Sequence, residues 1–118
     1  MTSSSTPPAG NGGPTFSISL AEHDDEIVVA LTGDFDIAAV APFADATSDI
    51  PAGSRVLLDL REVAFMDSSG VRALMNLDVR ARADGFQLAM AGPQPRVRRV
   101  LDLCGFEDRI PIRDDVGR

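Results

Sequence analysis

The chain has 118 residues, enough for one domain with one hydrophobic core. Apolar residues make up 44% and charged residues 25%, an ordinary globular balance, and no apolar run approaches the roughly 20 residues of a membrane helix, which argues against direct membrane insertion. Eighteen acidic against eleven basic residues give a net charge of −7 with no Trp or Tyr to stack on bases, which argues against nucleic acid as a partner.

The single cysteine, Cys104, allows no internal disulfide, and the N-terminus lacks the charged head and apolar middle of a secretory signal. Both point to the cytoplasm. Residues 1–14 are almost wholly Ser, Thr, Pro, Gly and Asn and have nothing to bury, so they read as a disordered leader. The folded domain is expected over 15–113, with 114–118 as a tail.

Phe16, Ile18 and Leu20 alternate with Ser17 and Ser19, the pattern of a half-buried strand. The polar cluster His23-Asp24-Asp25-Glu26 turns the chain, and Ile27 to Leu31 returns as the second strand of a hairpin. Gly33 to Asp36 is read as the end of that strand, with Asp36 as the N-cap of an Ala-rich helix. Pro42 belongs in a first turn, which places the helix start near Val40. Arg55 to Leu60 is nearly continuous in apolar residues, as in a central strand buried on both faces. A long helix follows from Ser68 to Asp84, closed by Gly85. Phe86 to Ala91 makes a further strand. Val97, Val100, Leu101 and Cys104 then form the core stripe of a third helix, which places Cys104 in the interior. Arg109 to Arg113 is expected as the last strand. The order is β-β-α-β-α-β-α-β. It implies an α/β fold with a mostly parallel mixed sheet, right-handed crossovers and helices chiefly on one face.

Motifs for nucleotide, metal or hydrolase chemistry are missing: there is no G-x-G-x-x-G, no P-loop, no paired Cys or His, and no G-x-S-x-G. No cofactor or metal is expected. The one histidine, His23, reads as an exposed turn residue, and nothing in the spacing of Asp34, Asp36 and Asp67 demands acid–base chemistry. Arg96, Arg98 and Arg99 read as the solvated face of a helix. The sequence therefore suggests a binding protein and not an enzyme.

Asp67-Ser68-Ser69-Gly70 lies at the C-terminal end of the central strand region and the start of the long helix, the edge where ligands engage open α/β sheets. A phosphate on Ser68 would be tolerated by the helix N-terminus and would repel a partner beside Asp67 and Asp36. On the helix behind it, Gly70, Leu74, Leu77 and Ala81 form one apolar line toward the sheet. Val71, Met75 and Val79 form a second; either neighbouring elements bury both lines, or Val71 and Met75 offer an apolar landing strip next to Ser68.

Phe65-Met66-Asp67-Ser68-Ser69-Gly70-Val71 resembles the phosphorylation-site signature of STAS domains, specifically bacterial anti-sigma factor antagonists (anti-anti-sigma factors). Leu31-Thr32-Gly33-Asp34-Phe35-Asp36 is similar to the family's segment after its second strand, and Val56 to Leu60 to its central strand. Gly92-Pro93 through Val97, Val100, Leu101 and Gly105-Phe106 resembles its third helix and exit turn. The resemblance covers about residues 15–113. It implies partner switching, in which the unphosphorylated protein binds an anti-sigma factor with serine kinase activity and so frees a sigma factor for transcription. Phosphorylation at Ser68 would end the complex, and a phosphoserine phosphatase would reset it. By position, Asp36 and Asp67 would flank the site and Ser69 and Gly70 would hold its turn; with Asp34 from the same loop and the apolar pair Val71 and Met75, the expected partner-binding residues are Asp34, Asp36, Asp67, Ser68, Ser69, Gly70, Val71 and Met75. The alternative is a STAS binding module of a transporter or a multi-protein sensor complex. Many family members continue into another helix after the last strand. This sequence stops at Arg118, so that cover is expected to be missing or supplied by another molecule.

Overall fold

A computed structural model describes residues 16–113, so the expected leader and tail lie outside the described residues. Strand β1 (Ser17–His23) pairs antiparallel with β2 (Glu26–Phe35) through a two-residue turn at Asp24 and Asp25. Both turn residues have positive φ, 53° and 66°, as a hairpin turn of matching twist requires. Helix α1 (Ile37–Ala46) leads to β3 (Arg55–Met66), α2 (Ser68–Asp84) to β4 (Gln87–Ala91), and α3 (Pro95–Leu103), with a 3₁₀ turn at Phe106–Asp108, to β5 (Ile112–Arg113). The sheet order is β1-β2-β3-β4-β5, and every pairing after the hairpin is parallel.

The strand registers sort the sheet into two faces. Val29, Leu31, Val56, Leu58, Leu60 and Met90 join Ala39 and Phe43 of α1, Leu74 and Leu77 of α2, and Val97 and Leu101 of α3 in one core. All three helices therefore cover the same face, as right-handed crossovers stepping in one direction dictate. The opposite face carries Val28, Ala30, Leu57, Asp59, Ala89 and Ala91, in paired rows. Across it the Glu26–Arg113 ion pair (2.7 Å) reaches from β2 to β5. Asp59, also buried on this face, accepts from the Arg61 backbone N–H (3.1 Å) and from its guanidinium (3.0 and 3.1 Å). That hydrogen bonding, with the carboxylate's charge, raises the Arg61 pKa above the usual arginine value.

Four elements differ from their expected bounds. Strand β2 does not stop at Leu31. Irregularities between Ala30 and Thr32 and between Gly33 and Asp34 carry it past Gly33 (φ 101°) to Phe35, a backbone conformation that glycine adopts without strain. Its extension pairs with the second half of β3, Gly33 opposite Val63 and Phe35 opposite Met66, so β3 also runs on to Met66. Helix α1 starts at Ile37, earlier than Val40, because Asp36 caps it, and it accommodates Pro42 on its exposed side. Strand β5 is only Ile112–Arg113, since the preceding 3₁₀ turn folds Phe106 and Ile110 into the core.

Helix α3 buries Val97 and Leu101 and half-buries Val100, but Cys104 is exposed and not interior. The helix ends at Leu103, and Cys104 is its C-cap, so the angular progression that would turn the thiol inward stops one residue too soon. On α2, Asp78 is a buried carboxylate gripped by Arg109 (2.7 and 2.9 Å) and by Arg82 one turn along (3.3 Å). These charge-assisted bonds tie the last turn of α2 to the segment entering β5.

Candidate functional site

Helices α1 and α2 both begin at the C-terminal edge of the sheet, side by side after β2 and β3, and both are capped by aspartate. The Asp36 carboxylate accepts from the Ala38 N–H (3.1 Å). The Asp67 carboxylate accepts from the Ser69 (2.9 Å) and Gly70 (3.3 Å) N–H groups. Each cap satisfies amides that a helix start leaves without intrahelical partners. Phe35 fixes the level of the two starts. Its ring is fully buried between Phe16 (5.3 Å) and Phe43 (5.0 Å), and its carbonyl accepts from the Asp67 N–H (3.4 Å).

Three small residues follow the Asp67 cap. Ser68 is exposed at the first helical position, Ser69 is half-buried and Gly70 is buried. Gly70 sits so close to β2 that a methyl group on it would strike the Phe35 carbonyl and come within 2.9 Å of the Met66 side chain. The tetrapeptide is therefore a turn pressed against the strand ends, with Ser68 the more exposed of its two serines. Replacing Asp67 by alanine removes two hydrogen bonds at this turn. It is expected to lower the unfolding free energy by about 1 kcal/mol in urea titration, and unchanged stability would show that Asp67 is not a structural cap.

Ser68 and Ser69 open onto a cleft of about 360 Å3 between the two helices, whose other walls are Ile37, Val40, Arg72, Ala73 and Asn76. It continues into a second depression of about 310 Å3 toward Thr47 and Arg80, and the two share Val40, Ala73 and Asn76. Asp34, half-buried near the end of β2, pairs with Phe65 at the same edge of the sheet. The structure thus gathers Asp34, Asp36, Asp67, Ser68, Ser69 and Gly70 at one end of the molecule.

Val71 and Met75 take the buried alternative in part. Both are half-buried and packed against the core, and Val79, the third member of their line, is 55% exposed well down the helix. The exposed apolar side chain that lines the cleft with Ser68 is Ile37, 72% exposed at the start of α1; Phe65, 41% exposed, lies near the end of β3. Ile37, Arg72 and Asn76 belong to no motif in the sequence. Arg72 and Asn76 are nonetheless four and eight residues after Ser68, the spacing that aligns side chains along one helix face.

Among the described residues no group of three or more His, Cys, Asp or Glu is arranged to hold a metal ion, and no helix is long and apolar enough to cross a membrane.

The profile of the STAS domain family matches residues 17–118. This chain belongs to the STAS domain family. It is 31% identical over 88 residues to a STAS-domain containing protein of Pseudomonas aeruginosa, covering 74% of this chain and 87% of that one. It is 27% identical over 105 residues to the anti-sigma-B factor antagonist of Listeria monocytogenes, covering 86% and 92%. The anti-sigma factor antagonist SpoIIAA in its unphosphorylated form superimposes with a TM-score of 0.65 at 25% identity, over 85% of this chain and 89% of SpoIIAA. SpoIIAA has also been solved in a phosphorylated form, which superimposes with a TM-score of 0.60 at 22% identity, over 85% of this chain and 92% of that one. The five-stranded mixed sheet with three helices on one face is the fold of this STAS domain, as expected from the element order.

Proposed function

We propose that this STAS domain is an anti-sigma factor antagonist. Unphosphorylated, it binds an anti-sigma factor that is also a serine kinase. Phosphorylation of Ser68 ends the complex, and a phosphoserine phosphatase restores it. The protein acts in the cytoplasm on sigma-factor-dependent transcription, as a binding module without a reaction of its own.

The observation that carries this reading is the presentation of Ser68. Its hydroxyl is exposed at the first position of a helix whose cap and backing glycine are fixed by Phe35, while Ser69 is half-buried beside it. A kinase can reach Ser68 without unfolding the turn. The names of the relatives support the role, and the two forms of SpoIIAA support phosphorylation as its control.

In the reaction the Ser68 oxygen attacks the γ-phosphorus of ATP, the bond to the bridging oxygen breaks, ADP leaves and the hydroxyl proton passes to a base of the kinase. The surrounding surface suits a switch. Ile37 and Phe65 supply apolar contact area, and Asp34, Asp36 and Asp67 set the charge that a new dianion would augment. Val71 and Met75 contribute from beneath, by shaping the turn that a partner touches. Incubation with the cognate kinase and ATP, followed by mass spectrometry, is expected to place the phosphate on Ser68 and to find none on Ser68→Ala. Label on Ser69, or label that survives Ser68→Ala, would overturn the assignment.

A further inference from the structure

We propose that Arg72 is the intramolecular counter-ion of phosphorylated Ser68, pairing with the phosphate across one turn of α2 and drawing it into the cleft between α1 and α2. The proposal rests on Ser68 being the modified residue, as inferred above.

Three of the six arginines on α2 and α3 pair with an acid on their own helix. Arg80 pairs with Asp84 (3.5 Å), Arg82 with Asp78 (3.3 Å) and Arg98 with Asp102 (3.9 Å), each four residues apart on its helix. Arg72 is exposed, on the same helix as two of these pairs, and among the described residues it has no ion pair. Its neighbours at that spacing are Ser68 and Asn76, both uncharged. Phosphorylation changes only the first. It would create an anion four residues before an arginine, the arrangement that Asp78 and Arg82 already display further down the same helix. An acid N-terminal to a cation at this spacing is the favoured order on a helix.

The surrounding charges give the phosphate a direction. Asp67 and Asp36, from the two helix starts, and Asp34, from β2, lie at the edge of the sheet and repel it. Arg72 is the one cation among the residues that wall the cleft with Ser68. The phosphate is therefore drawn away from the caps and over the α1–α2 cleft, where it meets a guanidinium able to bond two of its oxygens. Modification then changes the surface twice. It adds a dianion, and it occupies a cation that was free to meet an acidic group on a partner.

Phosphoserine installed at position 68 during synthesis, without any kinase, allows a direct test by 31P NMR titration. The second ionisation of the phosphate is expected about 0.5 pH unit lower in the otherwise wild-type protein than in Arg72→Gln. Arg72→Lys should retain most of that difference, and 1 M salt should shrink it. Asp34, Asp36, Asp67 and the helix amides are common to all three proteins and cancel in the comparison. Coincident titration curves for the wild-type and Arg72→Gln proteins would overturn the proposal. Coincident curves together with kinase labelling of Ser68 would remove the Arg72 pairing alone. Labelling elsewhere would instead remove the reading on which it rests.

Discussion

Replacing Gly70 by alanine is expected to destabilise this STAS domain by about 2 kcal/mol, the opposite of what helix propensity alone dictates. In an exposed helix interior the change would stabilise by up to about 1 kcal/mol, because alanine restricts the unfolded chain more than glycine does. At Gly70 the new methyl group meets the Phe35 carbonyl, the Met66 side chain at 2.9 Å and the Phe35 ring at 3.1 Å. Overpacking of this kind costs about 1–3 kcal/mol and outweighs the propensity gain, because two of the three neighbours are the backbone and ring of a buried residue that cannot swing aside. The strain would be relieved by lifting the first turn of α2 from β2, which moves Asp67 and Ser68 together. Urea unfolding measures the loss directly, and a Gly70→Ala protein as stable as the parent would show that the close approach of α2 to β2 is not a constraint.

Phosphorylation of Ser68 is expected to weaken partner binding by at least about 100-fold while shifting the free energy of unfolding by no more than about 1 kcal/mol. The two magnitudes differ because the phosphate has different surroundings in the two equilibria. In the free protein it is solvated, beside the positive end of α2, and it faces Arg72, which together offset its repulsion from Asp67 and Asp36. In a complex that covers the helix starts it loses water and faces the partner's surface. There, desolvation and like-charge contact cost several kcal/mol, and each 1.4 kcal/mol is a factor of ten in affinity. Dissociation without unfolding would allow the proposed switch to be reset.

Much of this architecture can be read in the sequence wherever local chemistry decides it. The line Gly70, Leu74, Leu77 and Ala81 is buried as its periodicity requires, and Asp36, Asp67 and Gly85 cap their helices as their types suggest. What escaped depends on partners distant in the chain. The second half of β3, from Arg61 to Met66, has no strand-like apolar pattern, and it is extended because β2 continues past Gly33 to pair with it. The buried Asp78 is held by Arg109, 31 residues later, a relation no local pattern carries. Val71 and Met75 are half-buried against the core while Ile37 is exposed, so periodicity finds a line but not its depth. Arg72 stood at a recognisable spacing from Ser68, but the partner at that spacing is uncharged until it is modified.

Isothermal titration of the anti-sigma kinase with this protein, unmodified and carrying phosphoserine at position 68, tests the account at its centre. Tight binding of the unmodified protein, with affinity reduced at least about 100-fold by the phosphate while the protein stays folded, is the predicted result. Equal affinity of the two forms, or binding that requires the phosphate, would contradict it.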